Sequence, residues 1–172
     1  MTGSDQKFFG KYRGTVINNI DPMMEGRLMV EVPDVLSLAP SSWAVPCVPL
    51  AGPTGPPMGV YLVPPIGAGV WIEFEKGDPD YPIWVGCRWG SAAGVPTLAL
   101  AGLPVSPNIV MQTAGQTAVV ISDVPAVGVM LKNSSGTSTI VVSDIGITIT
   151  TTGVLALTGT TVAINQTALV IT

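Results

Sequence analysis

The sequence predicts an all-β protein in which a compact barrel is followed by a narrower, repetitive β-structure. In the first half, short stretches of alternating apolar and polar residues recur without helical periodicity. All ten aromatic residues fall within residues 1–90, and residues 91–172 contain none. Only three charged residues, Asp123, Lys132 and Asp144, occur after residue 90. The chain therefore divides into two parts with different interiors.

Composition excludes several classes of protein. The chain has 172 residues, a formal net charge of −4 and only seven Lys and Arg, which are scattered. Nucleic-acid binding requires clustered cations, so no nucleic-acid partner is expected. The mean hydropathy of +0.53 is high and indicates either a membrane or a large buried interface. Pro96, Pro104 and Pro107 interrupt the most apolar stretch, which favours the interface.

The N-terminal residues and the cysteines support assembly in the bacterial cytoplasm. Residues 1–13 are polar and are not followed by the apolar segment of a signal peptide. Cys47 and Cys87 lie among apolar residues and are predicted to be small buried side chains rather than a disulfide. Because the chain has no His and no C-x-x-C pair, we expect no metal site and no cofactor.

The pattern of the first half, residues 1–90, predicts five or so short strands. Residues 27–32 place Leu28, Val30 and Val32 on one face, and residues 69–75 alternate in the same way. Residues 76–80, Lys-Gly-Asp-Pro-Asp, form a turn, after which residues 81–87 return as the second strand of a hairpin. Strands this short and numerous predict a small closed barrel, and large aromatic side chains would fill its interior.

Residues 91–108 are rich in Gly, Ala and Pro, which predicts an extended linker rather than a helix. Residues 109–172 form the second β-structure. Eight strands are expected there, at residues 109–113, 117–122, 127–133, 138–143, 145–151, 153–157, 160–165 and 167–172.

The aliphatic side chains of this second part are nearly uniform in size and suit a narrow, stacked interior, as in an intertwined β-helix or prism. Charges that would protect strand edges are almost absent, so the edges require other copies of the chain. Composition does not fix the number of copies. The residues expected to form the core between chains are Ile145, Ile147, Ile149, Leu155, Leu157, Val162 and Ile164.

Four motifs in order carry a family resemblance. These are G-K-Y-R-G-T-V (10–16), R-x-x-V-x-V-P-D (27–34), P-x-x-G-x-x-V-x-I-x-F-E-x-G-D-P-D-x-P (64–82) and V-G (85–86). The first half resembles the OB-fold domain of phage baseplate central-spike proteins of the baseplate assembly protein V type, which are related to type VI secretion spikes. The second half is similar to the trimeric β-helical needle of that family.

The resemblance implies a non-enzymatic homotrimer in a virion tail baseplate or injection particle. A separate hub protein would bind at the OB end, and the needle would pierce the target cell envelope when the sheath contracts. The chain departs from some relatives in having no muramidase domain between barrel and needle and no His-x-His near its C-terminus. A metal-free end is therefore expected, where Leu169, Val170, Ile171 and Thr172 would bind a tip-capping protein.

The sequence also allows other functions. The closest alternative is the spike of an extracellular contractile injection system or a type VI apparatus, although type VI spikes usually carry their hub in the same chain. A remote alternative is an OB-fold protein that binds oligonucleotides or oligosaccharides. Two carboxylate pairs, Glu73 with Glu75 and Asp78 with Asp80, have residue types that can serve glycoside hydrolysis, and Asp78 with Asp80 could also chelate calcium. We interpret them instead as a solvated strand face and a turn.

Overall fold

The computed structural model describes residues 6–52 and 56–159. The chain divides into two compact units, Met1–Gly94 and Val95–Thr172. Within the described residues, no helix has both the length and the apolar character needed to span a membrane.

The first unit is a five-stranded barrel with a small hairpin attached. The barrel sheet has the order β2-β1-β6-β7-β3, and β4 pairs with β5. A single helical turn, α1 (Pro33–Leu36), follows β2. The strands are β1 (Tyr12–Asn18), β2 (Met29–Glu31), β3 (Val45–Pro46), β4 (Ala51–Gly52), β5 (Met58–Gly59), β6 (Gly69–Phe74) and β7 (Pro82–Arg88).

Two backbone hydrogen bonds close this sheet into a barrel. The N–H of Leu28 donates to the carbonyl of Ala44 at 3.0 Å, and the N–H of Ala44 donates to the carbonyl of Leu28 at 2.7 Å. They join the residue before β2 to the residue before β3, which are the two outer strands of the sheet. Ser41 extends the contact, because its Oγ accepts a hydrogen bond from the N–H of Val30 at 3.0 Å. The closed sheet surrounds a single core.

The alternation predicted for the strands is confirmed in that core. Leu28, Val30 and Val32 are fully buried, and so are Val70 and Ile72 from β6. The core contains two buried rings, Phe74 and Trp84, and Phe8 and Tyr12 pack against it. The indole Nε1–H of Trp84 donates to the carbonyl of Gly26 at 3.1 Å, so the one polar atom of the ring is satisfied.

The loop between β1 and β2 is organised by one carboxylate. Asp21 accepts hydrogen bonds from the N–H groups of Met23 and Glu25 and from the Arg27 guanidinium, whose Nη2 lies 2.6 Å from Oδ1. The hydrogen bond from Arg27 holds the pKa of Asp21 well below its ordinary range. The Arg27 guanidinium also lies over the Trp43 ring, 5.6 Å from its centroid.

The predicted hairpin of β6 and β7 is confirmed, but the predicted burial of the cysteines is wrong. Asp78 Oδ1 accepts a hydrogen bond from the N–H of Asp80, which closes the turn. Both cysteines are exposed and unpaired. Cys47 follows the end of the two-residue edge strand β3, and Cys87 lies beyond a register shift in β7, so neither continues an inward-facing pattern.

The second unit contains one five-stranded antiparallel sheet in the order β12-β11-β10-β9-β8. These strands confirm the first five of the eight that the sequence predicts in this part. Their bounds are β8 (Ile109–Gln112), β9 (Ala118–Ser122), β10 (Gly128–Lys132), β11 (Ser138–Ser143) and β12 (Gly146–Thr151).

The sixth predicted strand, residues 153–157, is not a strand in the structure. The N–H of Thr152 bonds to the carbonyl of Thr137, which lies just before the start of β11. Beyond that bond, none of residues 153–157 pairs with a strand that the structure describes. The last two predicted strands, residues 160–165 and 167–172, lie outside the described residues.

The segment at residues 91–108 also differs from the extended linker that was predicted. It contains a 3-10 turn at Ala92–Gly94 and a short helix, α2 (Thr97–Leu100). Asn108 caps the end of α2, because its Nδ2 donates to the carbonyl of Leu98 at 2.7 Å and its N–H donates to that of Ala99. Pro96, which suggested an extended chain, instead precedes the first helical residue, where a missing N–H is harmless.

Replacing Gly14 by Ala should destabilise the barrel. An added Cβ would lie 2.9 Å from Cγ1 of the fully buried Ile72, so the core must shift. Overpacking of this kind costs about 1–3 kcal/mol. All four tryptophans lie in the first unit, so denaturant unfolding followed by tryptophan fluorescence reports on it. Gly90→Ala is the matched control, since its Cβ meets nothing within 4 Å. Equal unfolding midpoints for the two variants would contradict the packing described here.

Replacing Asp21 by Asn should reduce the acid sensitivity of the barrel. A carboxyl whose pKa is lowered on folding stabilises the native state above its unfolded pKa of about 4, and this contribution is lost as pH falls toward the native pKa. The wild-type unfolding midpoint should therefore fall more steeply below about pH 4 than that of the variant. Asp34→Asn, at an exposed position on α1, is the control. Parallel curves for wild type and Asp21→Asn would contradict this role of Asp21.

Candidate assembly interface

Only some of the residues predicted to form the core between chains lie on the sheet of the second unit. Ile147 and Ile149 are on β12, whereas Ile145 lies in the turn between β11 and β12. Leu155 and Leu157 follow the end of β12 and are more than half exposed. The remaining predicted residues, namely Val162 and Ile164 of the core and Leu169, Val170, Ile171 and Thr172 of the tip, lie outside the described residues.

The register of the sheet places Ile147 and Ile149 at the ends of two continuous apolar rows. Residues directly opposite each other in an antiparallel pair share a face, so the pairing can be followed across all five strands. We call these ten residues the aliphatic face. The first row is Ile109, Ile121, Val129, Val142 and Ile147, and the second is Met111, Val119, Leu131, Ile140 and Ile149.

The aliphatic face is exposed in the single chain. Nine of its ten side chains are between 40 % and 72 % exposed, and Val119 is partly buried. None is charged or polar, so nothing on this face hydrogen-bonds to water. A contiguous apolar surface spanning five strands is costly to leave in water and marks a site of association.

The opposite face of the same sheet has a different character. Ala118, Val120 and Ser122 are buried there, and Thr148 and Thr150 of β12 lie on this face. Lys132, the only charged residue within the five strands, is also on this face. The two faces therefore differ in the way expected of a sheet that presents one side to an apolar partner.

Sequence reasoning found the β12 end of the aliphatic face but missed the eight residues on β8 to β11. In β12 aliphatic residues alternate with Thr, so the pattern shows which side is apolar. In the other strands both sides carry aliphatic residues, as in Ala118–Ser122 and Gly128–Lys132. Only the register with β12 could have assigned them to a face.

One member of each carboxylate pair of the first unit makes local contacts through its side chain. Glu73 forms an ion pair with Lys11 on the outer side of β6. Asp78 accepts a hydrogen bond from the N–H of Asp80 and lies 3.3 Å from Lys7 Nζ, and these contacts lower its pKa. No group of three or more metal-ligating side chains occurs among residues 6–52 and 56–159. These contacts fit the interpretation of a strand face and a turn.

The fold and the aliphatic face together define a class of structural protein, in which a closed β-barrel is joined to a β-sheet that associates with other chains. Two family models match parts of this chain. Residues 12–89 match the type VI secretion system/phage-baseplate injector OB domain. Residues 108–170 match the phage baseplate V C-terminal trimerisation domain.

The two matches cover most of the chain, and they occur in the order that the sequence motifs predicted. The chain therefore belongs to the phage baseplate V family of baseplate and type VI secretion spike proteins. The OB-fold expected for the barrel is confirmed by the first match. No curated protein matches the chain significantly.

Replacing Ile147 or Ile149 by Asp should prevent association of the chains. Both side chains lie on the aliphatic face, and a carboxylate buried there without a partner costs several kcal/mol. Thr148→Asp is the matched control, because Thr148 is adjacent in sequence but lies on the other face. Light scattering at micromolar concentration should give a single-chain mass for the Ile variants and an assembled mass for the control. Equal effects at all three positions would mean that the aliphatic face is not the contact.

Proposed function

We propose that the protein is the central spike of a contractile tail baseplate and acts as a homotrimer. The observation that carries the proposal is the exposed aliphatic face, which lies within the part of the chain that matches a trimerisation domain. Three copies can cover one another's faces around a common axis. The residues predicted as the core between chains, including Leu155, Leu157, Val162 and Ile164, would extend this contact beyond β12.

The size of the side chains supports packing of three sheets into a narrow prism. Sheets that pack face to face are about 10 Å apart, which suits rows of Ile, Leu, Val and Met. An aromatic ring at any position would push neighbouring copies apart, and the matched region contains none. This part of the chain would then be a stiff needle whose interior is continuous from layer to layer.

The role that follows is mechanical. The barrel would attach to a separate hub protein, and the needle would be driven through the target cell envelope when the sheath contracts. No catalytic step is required of the spike. A measurable muramidase activity in the purified protein would contradict the proposal of a purely mechanical role. The expected location is the tail baseplate of a virion or a related injection particle, after assembly in the bacterial cytoplasm.

The same spike role in an extracellular contractile injection system or a type VI apparatus is the alternative. The family description that matches the barrel names both type VI secretion and phage baseplates.

A second, different function is suggested by the outer face of the barrel, where Arg13 pairs across strands with Trp71. A cation beside an aromatic ring is the chemistry that binds single-stranded nucleic acid. We expect no salt-dependent retention on single-stranded DNA, because Glu73 lies on the same face.

The mass of the native protein tests the homotrimer. Light scattering should give three times the chain mass of 17.7 kDa at micromolar concentration. A mass of one or two chains would contradict the proposal. Incorporation of the protein into particles, followed by electron microscopy of the baseplate, would then test its position on the tail axis.

The tip of the needle is also open to test. We propose that Leu169, Val170, Ile171 and Thr172 bind a capping protein, since apolar strand ends need a partner. Removing residues 168–172 should lower infectivity or penetration while the trimer mass is retained. Removing Thr172 alone is the control and should have little effect. Particles that keep full infectivity without residues 168–172 would contradict a role for this segment at the tip.

A further inference from the structure

The first unit contains a mainly apolar cleft of about 360 Å³ between β3 and the turn that joins β6 to β7. Its lining includes two aromatic side chains, Trp43 and Tyr81. Val45 and Tyr81 are 52 % and 62 % exposed, so apolar surface at the cleft is open to water. Clefts that bind ligands have volumes of about 300–1,000 Å³, and this one is at the small end of that range.

Two carboxylates give the cleft its charge. Glu75 and Asp80 are the only charged side chains among the described residues that line it. In each carboxylate pair of the first unit, the other member, Glu73 or Asp78, has a lysine partner. The side chains of Glu75 and Asp80 make no hydrogen bond or ion pair with residues 6–52 and 56–159. The cleft therefore presents two negative charges that the described part of the chain does not neutralise.

The backbone around both carboxylates is held in place. The hydroxyl of Ser42 donates to the carbonyl of Asp80 at 2.7 Å, and the N–H of Glu75 donates to the carbonyl of Tyr81 at 2.9 Å. The strand on the other side of the cleft, β3, pairs with β7. The aromatic and acidic sides of the cleft are thus fixed relative to each other before any ligand arrives.

The chain itself shows which group fits a ring beside a carboxylate. The guanidinium of Arg27 lies 5.6 Å from the centroid of Trp43 and donates to Asp21 Oδ1 at 2.6 Å. A guanidinium is planar, stacks on aromatic rings and can donate two parallel hydrogen bonds to a carboxylate. Arg27 is already paired with Asp21, so its charge does not serve Glu75 and Asp80.

The same observations limit the possible occupants of the cleft. A phosphate or another anion would be repelled by two carboxylates that have no cation beside them. A small free cation would leave the exposed Val45 and Tyr81 in water, whereas the residues that flank an arginine in a protein segment could cover them. Charge and apolar surface together favour an arginine that is carried by a protein.

We propose that this cleft binds the side chain of an arginine in an exposed segment of a partner protein. The guanidinium would lie against the aromatic rings and pair with Glu75 and Asp80. The proposal adds a recognition site to the barrel and does not depend on the number of chains in the assembly.

A native thiol reports on the electrostatics of the cleft. Cys47 lines the cleft and is exposed, and Cys87→Ser makes it the only thiol of the full chain. Its rates of reaction are measured with a cationic and an anionic methanethiosulfonate, and their ratio is divided by the ratio for free cysteine. The cationic reagent should be favoured by about tenfold at low salt.

Neutral isosteres show whether the preference comes from the cleft. Glu75→Gln combined with Asp80→Asn should remove most of the preference for the cationic reagent. Glu73→Gln combined with Asp78→Asn is the matched control, because it removes two negative charges that do not line the cleft. The control should keep most of the preference. An equal loss in the two double variants would mean that the charge of the whole barrel acts on Cys47, and would overturn the proposal.

Protection of Cys47 then tests binding directly. The blocked peptide Ala-Val-Arg-Val-Ala is compared with the same peptide carrying citrulline, which has the shape of arginine without its charge. One anchored side chain gives a dissociation constant on the order of millimolar, so about 10 mM arginine peptide should slow the reaction of Cys47 with uncharged N-ethylmaleimide several-fold. The citrulline peptide should not protect, and neither peptide should protect the Glu75→Gln, Asp80→Asn variant.

Three results would overturn the proposal. The first is equal protection by the arginine and citrulline peptides, or protection by neither. The second is equal protection by the arginine peptide and by agmatine, a free guanidinium, which would make the cleft a small-molecule site. The third is a Cys47 that reacts with no reagent in the native protein, because another chain would then cover the cleft. Protection by the arginine peptide alone, lost with Glu75→Gln and Asp80→Asn, is the result that supports it.

Discussion

The structure of the second unit depends on one constraint, which is that its aliphatic face forms a continuous apolar surface exposed to water in the single chain. The face spans all five strands, and nine of its ten side chains stay at least 40 % exposed among the residues that the structure describes. Several features of the sequence follow from this. Rows of similar aliphatic side chains can interdigitate with copies of themselves, rings would prevent this, and charge on the face would repel its own copies. The near absence of charged and aromatic residues after residue 90 therefore fits a part of the chain that matches a trimerisation domain.

The barrel differs from the second unit because it buries its core within one chain. The hydrogen bonds between Leu28 and Ala44 close the sheet, and Trp84 and Phe74 fill space that Val and Ile alone would leave open. Ion pairs such as that of Asp21 with Arg27 then fix the loops on its surface. Two kinds of interior thus explain two kinds of composition, one suited to folding alone and one suited to assembly.

The sequence predicted those features that depend on local pattern. Alternation identified the buried residues of β6, and the Asp-Pro-Asp turn identified the hairpin, because each signal lies within a few residues. Features that depend on distant partners were missed. Residues 153–157 are apolar but pair with no strand that the structure describes, and Pro96 precedes a short helix whose carbonyls accept hydrogen bonds from Asn108. The larger part of the aliphatic face could not be predicted for the same reason. In strands that are apolar on both sides, only the register with a neighbouring strand shows which residues share a face.

The absence of charge has a further physical consequence for contacts that the aliphatic face makes. The chain has no His, and residues 95–172 contain only Asp123, Lys132 and Asp144 as ionisable side chains. An interface without ionisable groups changes neither its protonation between about pH 5 and pH 9 nor its stability through screening by salt. Contact between aliphatic side chains strengthens slightly as salts that are excluded from the surface accumulate. The aliphatic face thus offers the kind of contact that pH and ionic strength alter least, while most of the titratable groups of the chain lie in the first unit.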